Sequence, residues 1–177
     1  AAGMTIDVGW GETAAALGRY EPEVQRALAS LLRSGEVVYD IGVHSGFIGL
    51  IAGRLCGHGG AVYGFEPDAN NAALSRRNFA RNGLSQAYVV ESAVGSFSGT
   101  ALLRRSPVLA RHAIVDRAQA ANEPDIVEVP LLTLDEFVTR PGVRPPDLVK
   151  IDVEGHEREV VAGMTTLLRD SAPTLLI

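Results

Sequence analysis

Three features of the sequence predict a doubly wound α/β domain built on a mainly parallel sheet. Short apolar, β-branched runs, with Val37 to Ile41 and Ala61 to Phe65 the clearest, alternate with segments of helical periodicity. An acidic residue lies at the end of each of these two runs, Asp40 and Glu66. A glycine-bearing turn follows the first run and opens a helix. Such alternation builds βαβ units, whose strands lie parallel and are covered by helices on both faces.

The elements follow in order. Glu21 to Ser34 sets Val24, Ala27, Leu28, Leu31 and Leu32 at helical spacing behind Pro22, a favourable first-turn residue. Residues 1–34 are therefore expected to form an N-terminal helical segment packed on a domain spanning 35–177, within a single domain overall. Gly35 ends the helix, and Val37 to Ile41 reads as the first buried strand. A helix over Phe47 to Leu55, a second strand over Ala61 to Phe65, and a helix over Asn70 to Arg81 stopped by Asn82 and Gly83 come next. Gln86 to Glu91 is the third strand.

After it the rhythm breaks. Gly99 to Arg104 and Ile126 to Leu132 read as strands flanking a polar stretch, Arg105 to Asp125, expected to be an excursion or mobile loop. Arg104, Arg105 and Arg111 there suit recognition of an anionic group, or else a solvated loop. The proline-rich connector Arg140 to Asp147 leads into a fourth strand, Leu148 to Val153. One helix is expected from His156 to Arg169, burying Val160, Val161, Met164, Leu167 and Leu168. Pro173 to Ile177 begins a fifth strand.

At 177 residues the chain has room for one well-buried core. Apolar residues make up 46% and charged residues 21%, near globular averages. No stretch approaches the roughly 20 apolar residues that cross a membrane as a helix. The net charge of -5 argues against a nucleic-acid footprint, which usually needs a clustered positive excess. Cys56, the single cysteine, excludes an internal disulfide and a cysteine-cluster zinc site, and no two histidines have metal-ligand spacing, so no metal is expected. His58 and His112 sit among loop residues and are expected to be exposed. With no basic segment leading into an apolar one at the N-terminus, a cytoplasmic location is expected. Arg supplies every other basic position, a bias suggesting a GC-rich bacterial genome, and Lys150 stands out as the lone lysine.

The segment VYDIGVHSG, Val38 to Gly46, joins an acid-ended strand to a helix through Gly42 and Gly46. In open α/β sheets ligands bind beyond the carboxyl ends of the strands, and glycines let backbone approach them closely. Asp40 can accept hydrogen bonds from an amine or hydroxyl there. A tight turn with Asp40 as a cap explains the segment equally well. In GFEPD, Gly64 to Asp68, Glu66 stands where a carboxylate takes both hydroxyls of an adenosine ribose, while Pro67 favours a turn in any case. The joint spacing of the two segments in one βαβ unit favours a nucleoside cofactor. A dinucleotide fingerprint needs G-x-G-x-x-G, so that the pyrophosphate can rest on a helix N-terminus. Here the order is D-x-G-x-x-x-G, and Asp40 would repel a pyrophosphate yet attract the ammonium of a methionine moiety.

Four stretches together resemble the FkbM-type methyltransferase family: GRYEPEV (Gly18 to Val24), VVYDIGVHSGFIGL (Val37 to Leu50), YGFEPDANNAALSRRN (Tyr63 to Asn78) and DLVKIDVEGHEREVVAGM (Asp147 to Met164). KIDVEGHE is the most family-specific string. ESAVGS (Glu91 to Ser96) and VPLLTLDEF (Val129 to Phe137) add support. The resemblance implies a Rossmann-like class I methyltransferase fold and S-adenosylmethionine as cofactor. It sets Asp40, Gly42, His44 and Gly46 near the methionine part, Glu66 and Pro67 at the ribose, and Ser92 and Ala93 near the adenine. Tyr20 and Glu21 would approach the methionine end or the acceptor. The family usually carries Asn where this chain has His44. A complete class I methyltransferase has seven strands in the order 3-2-1-4-5-7-6; five are recognised here, so strands six and seven are expected to be missing, with the native protein continuing past Ile177. Ala1 to Met4 likewise read as the middle of a longer chain.

Methyl transfer from a sulfonium is an in-line displacement, so alignment of the acceptor supplies much of the catalysis and a base takes the proton as the bond forms. Lys150, Asp152, Glu154 and His156 leave the carboxyl end of the fourth strand, where the acceptor is expected, and are the candidate catalytic residues. Asp152 also stands among the candidate cofactor-binding residues. Glu157 and Glu159 are read as complements to the helix dipole. Lys150 and Asp152 share a strand face, and an unpaired carboxylate ending a buried strand would be costly. Their pairing is either structural or part of the site. The family methylates hydroxyls of sugars, polyketides and related metabolites, so a small-molecule hydroxyl acceptor is expected, with no nucleic acid or membrane partner. An oxidoreductase with a degenerate nicotinamide site and a non-catalytic binding protein on the same fold are the alternatives.

Overall fold

A computed structural model of the chain describes residues 3–7, 20–106, 112–121 and 123–177. The expected Arg111 and part of the GRYEPEV stretch lie outside the described residues.

The parallel sheet forms as the sequence predicts. Strands β1 (Val37–Ile41), β2 (Ala61–Phe65), β3 (Ala87–Val90), β8 (Leu148–Ile151) and β9 (Thr174–Leu176) make one five-stranded sheet in the order β3-β2-β1-β8-β9, every neighbour parallel. Strands β1, β2 and β8 are buried along their whole length, which explains their near-continuous apolar runs. Side chains alternate across β1. Val37, Tyr39 and Ile41 pack with Tyr63, Phe65, Phe137, Val160, Met164 and Leu167 on one face. Val38 faces the other way, into a cluster with Leu28, Phe47, Ile48, Ala52 and Cys56. That second cluster is supplied by helix α1 (Pro22–Leu31) and helix α2 (Phe47–Cys56). Within α1, Leu28 is buried but Leu31 is 39% exposed, so the apolar stripe is narrower than its spacing suggests. Helix α3 (Ala69–Arg81) covers the sheet through Phe79, which packs with Val43, Leu50 and Leu84.

The region after β3 is more ordered than an excursion or loop. Strands β4 (Ala93–Val94), β5 (Gly99–Arg104), β6 (Ala113–Val115) and β7 (Ile126–Leu132) form a second, four-stranded sheet in the order β4-β7-β5-β6. The β5–β6 and β5–β7 pairs are antiparallel, and β4–β7 is parallel. A short helix, α4 (Arg117–Ala120), follows β6 behind a capping box in which Asp116 and Gln119 satisfy each other's backbone N–H groups. Ala93, Leu103, Val129 and Leu131 form this sheet's own core, while Val94 and Leu132 join the main one.

The single helix expected from His156 to Arg169 is two. Helix α5 (Leu134–Phe137) precedes β8, and α6 (Glu157–Ala162) and α7 (Thr165–Ser171) follow it. The break falls at Gly163, where a Cβ would stand 1.9 Å from the Gly95 carbonyl oxygen. The Asp135 carboxylate then accepts from the backbone N–H groups of Thr166 and Leu167, at 3.0 and 2.8 Å, and so starts the new helix. Val160, Met164 and Leu167 are buried as expected, with Val161 and Leu168 partly so. No helix among the described residues is long and apolar enough to cross a membrane.

Candidate active site

Two clusters gather at the carboxyl ends of β1, β2 and β8. The first is centred on Lys150. The β1–β8 register sets Asp40 directly opposite Lys150, with both side chains on the same face. The ammonium lies 3.2 Å from Asp40 Oδ1 and 3.2 Å from Asp152 Oδ2. Only the Asp152 contact has hydrogen-bond alignment, so both oxygens of the fully buried Asp40 lack a hydrogen-bond donor among the described residues. Burial raises the Asp40 pKa against the opposing pull of Lys150. Burial works to lower the Lys150 pKa, but the carboxylates of Asp40, Asp152 and Glu21 outweigh it, and the ammonium titrates above its ordinary 10.5.

Glu21 joins this cluster from the segment ahead of β1. It caps α1 in the left-handed conformation, φ 44° and ψ 62°, which is uncommon for a non-glycine residue. Its Oε2 is buried without a hydrogen-bond partner among the described residues, and burial raises its pKa while Lys150 and the Tyr20 hydroxyl oppose. The Tyr20 ring stands edge-on to Phe47 at 5.9 Å. Three carboxylates thus surround one lysine. The costly buried carboxylate is Asp40, and the expectation that Asp152 is the buried one is corrected: its side chain is 56% exposed, because β8 ends at Ile151 and Asp152 lies just past it.

The second cluster is the turn that ties β1 to β2. Gly42 takes φ 83°, and a Cβ there would lie 2.1 Å from the Asp152 carbonyl oxygen, so only glycine lets the two strand ends close. The N–H groups of Gly42 and Val43 both donate to the Phe65 carbonyl. His44 is also left-handed, φ 50°, a region that Asn and His enter more readily than most residues. Its N–H donates to Glu66 Oε2 at 3.1 Å, and its carbonyl accepts from the Ser75 hydroxyl. Gly46, φ 85°, caps α2.

Glu66 is buried just past β2, and burial raises its pKa despite hydrogen bonds from the Asp68 and His44 backbones. Asp68 N–H donates to Glu66 Oε1 at 2.9 Å, while Asp68 Oδ1 caps α3 by accepting from Asn70 and Asn71 at 2.9 and 3.1 Å. Pro67 is half-buried between them.

The other expected residues stand apart from these clusters. Ser92 and Ala93 are built into the second sheet: the Ser92 hydroxyl lies within hydrogen-bond distance of the Ala93 and Pro130 carbonyls, and Ala93 pairs with Leu131. Glu154 is exposed. His156 begins α6 with Nδ1 3.8 Å from Glu159, and its buried Nε2, without a hydrogen-bond partner among the described residues, faces Gly95. Glu157 and Glu159 occupy the first turn of α6, as their dipole reading requires. Arg104 and Arg105 are engaged internally, with Glu123 at 3.0 Å and Asp68 at 2.8 Å. His58 is exposed as expected, but His112 is half-buried, burial lowers its pKa, and its Nδ1 accepts from the Ser106 N–H at 3.2 Å. Among the described residues no group of three or more His, Cys, Asp or Glu side chains is arranged to hold a metal ion.

Sequence reasoning missed Asn78. Fully buried on α3, its amide donates to the Ser45 and Asp7 carbonyls at 2.7 and 2.9 Å, and its Oδ1 accepts from Asp7 N–H at 2.8 Å. The signal was present, since Ser75 and Asn78 are polar residues sharing the buried face of α3 with Ala72 and Phe79.

Comparison with known proteins covers most of this architecture. Residues 40–177 match the model of the methyltransferase FkbM domain. The hexuronic acid methyltransferase AglP of Haloferax volcanii is 28% identical over 151 residues, spanning 85% of this chain and 59% of that protein. The crystal structure of methyltransferase FkbM from Methylobacillus flagellatus KT aligns with a TM-score of 0.55 at 14% identity, over 92% of this chain and 49% of that one, a likeness of fold. The chain thus spans about half the length of these relatives. Since the matched residues run from Asp40 to Ile177, well over half of the sequence, and take in Asp40, Glu66, Lys150 and Asp152, the chain belongs to the methyltransferase FkbM family.

Proposed function

We propose that the chain carries the cofactor-binding part of an S-adenosylmethionine-dependent O-methyltransferase, with residues 35–177 as one unit and the preceding helical segment packed on it. The observation that carries this reading is Glu66. Each of its carboxylate oxygens accepts one backbone N–H, from His44 and from Asp68, which leaves lone pairs on both for two vicinal hydroxyls. A ribose presents that pair. The oxygens of Asp40, which accept no hydrogen bond among the described residues, and the buried Oε2 of Glu21 suit the ammonium of a methionine moiety better than a pyrophosphate, and Gly42 lets the turn beyond Asp40 close against the Asp152 carbonyl. The residues present therefore fit the cofactor. When bound, it supplies a sulfonium methyl group.

The chain's own part is to hold a hydroxyl in line and to accept its proton. Asp152 is our first choice for that proton. It leaves the end of β8 half in solvent, with Lys150 fixing one oxygen at 3.2 Å. Glu154 is exposed beside it, and His156 faces the second sheet. A sugar hydroxyl is the preferred acceptor class, in keeping with the hexuronic acid named for the Haloferax volcanii relative.

Calorimetric titration tests this reading, using S-adenosylmethionine and, separately, NAD. Saturable binding of the first is expected, weakened at least about tenfold in Glu66→Ala by loss of hydrogen bonds to a charged group. Binding of NAD alone would reverse the assignment. Transfer of labelled methyl to a uronic acid, lost in Asp152→Asn with cofactor affinity kept, is the expected second result.

A further inference from the structure

We propose that Arg105, delivered by the second sheet, is a positioning residue for ribose recognition: it holds Asp68, and through Asp68 it holds the Glu66 carboxylate. This rests on the reading that Glu66 takes the ribose hydroxyls.

The geometry is a continuous chain of contacts. Arg105 Nε donates to Asp68 Oδ2 at 2.8 Å. The other oxygen of Asp68 is committed to the N-terminus of α3 through Asn70 and Asn71, so the side chain is fixed at both ends. With the side chain fixed, the Asp68 backbone N–H is aimed at Glu66 Oε1, 2.9 Å away. The remaining oxygen of Glu66 is held by His44. Remove Arg105, and one of these two fixed points on Glu66 is set loose.

Charge argues the same way. The side chain of Asp68 is 3% exposed and Glu66 is 4% exposed, two residues apart, so two buried carboxylates lie close enough for the charge of Asp68 to oppose ionisation of Glu66. Such a pair resists ionising together, and Glu66 must be ionised to accept from both hydroxyls. A guanidinium on Asp68 supplies the missing countercharge.

Arg105 is itself held firmly. It follows β5, whose ladder with β7 runs from Gly99 to Arg104, and its N–H continues the pairing to the Asp125 carbonyl at 3.0 Å. Asp125, which accepts that bond, has φ 60°, a conformation uncommon for a non-glycine residue. Arg104, its neighbour, is tied to Glu123 at 3.0 Å. The second sheet thereby contributes a cation just beyond the carboxyl end of β2.

The test compares S-adenosylhomocysteine with its 2′-deoxyribose analogue, titrated calorimetrically into the full chain and into Arg105→Gln, Arg105→Lys and Asp68→Asn. The unsubstituted chain is expected to prefer the ribose form by at least about tenfold, the worth of one hydrogen bond to a charged acceptor. Arg105→Gln should cut that preference to about threefold or less, and Arg105→Lys should restore most of it by returning the charge. Asp68→Asn keeps a capping oxygen but loses the ion pair, and it should lose the preference as Arg105→Gln does. A merely structural Arg105 would weaken both ligands alike and leave their ratio intact, which overturns the proposal. So does a full ribose preference in Asp68→Asn, or equal binding of the two ligands by the unsubstituted chain. Failure of the unsubstituted chain to bind S-adenosylhomocysteine at all refutes the cofactor reading itself, a distinct result.

Discussion

Replacing Lys150 with Met removes the cation that bridges Asp40 and Asp152 while keeping most of the buried side-chain volume. The ammonium stands 3.2 Å from an oxygen of each. At that separation one pair is worth about 5 kcal/mol at an effective dielectric near 20, before desolvation is counted. The Asp152 half, its carboxylate 56% exposed, counts for little, because solvent screens it. Asp40 decides the outcome, since it is fully buried and has no hydrogen-bond donor among the described residues to fall back on. Breaking a buried pair by deleting one partner costs roughly 3–5 kcal/mol, because an uncompensated charge is left behind. For a chain of this size that is a fall in melting temperature of about 6–20 °C. Adding Asp40→Asn should recover about 2 kcal/mol or more, since the stranded charge goes with it. The sign with pH is also set. The Lys150 pKa is raised in the folded state above its ordinary 10.5, so its contribution is full below that pH and is lost as pH rises through the folded value. The unsubstituted chain should therefore lose stability more steeply than Lys150→Met above about pH 10.5, in urea titrations at stepped pH. A cost under about 1 kcal/mol for Lys150→Met, or no recovery on adding Asp40→Asn, would refute the reasoning.

Two further outcomes are accessible to simple assays. Gly163→Ala forces a methyl to within 1.9 Å of the Gly95 carbonyl, a backbone atom that cannot step aside, so denaturant titration should show a loss of about 2–3 kcal/mol; a loss below about 0.5 kcal/mol would mean that the junction between the α6–α7 break and the second sheet is loose. Cys56 is free and fully buried, with a pKa raised by burial, so a disulfide reagent should modify it only at the rate at which the fold opens. Rapid stoichiometric labelling of the native protein would contradict that burial.

The elements legible in the sequence were those whose signal is local. Strands β1 and β2 match their expected spans because each is a short apolar run bounded by glycine or an acid and buried from end to end. Strands β5 and β7 were equally plain. What escaped was set by contacts between distant residues. Strands β4 and β6, of two and three residues, exist only because β7 and β5 lie ready to pair with them. The periodicity from His156 to Arg169 is continuous, and nothing within it says that Gly163 must pass over Gly95 or that Asp135 will cap the helix anew. In the site, Asp40 and Glu66 were legible as acids ending buried strands. The cation behind Glu66 was not, because Arg105 and the Asp68 that it holds are 37 positions apart, the one following β5 and the other capping α3.

The two buried acids sit at the ends of neighbouring strands, and the fold compensates them by different routes. Lys150 reaches Asp40 through sheet register alone: parallel pairing of β1 with β8 sets the two opposite one another, so any sequence that keeps this register keeps the pair. Glu66 has no such neighbour in register. The β1–β2 pairing sets Gly64 opposite Asp40, and Glu66 lies past the last paired residues, Ile41 and Phe65. Its support is assembled from backbone N–H groups and, at one remove, from Arg105. Damage to the β5–β7 ladder should therefore loosen the Glu66 end while leaving the Asp40–Lys150 pair in place. A second sheet packed beside the strand ends gives a parallel sheet what its own register does not supply, a cation beyond the end of β2.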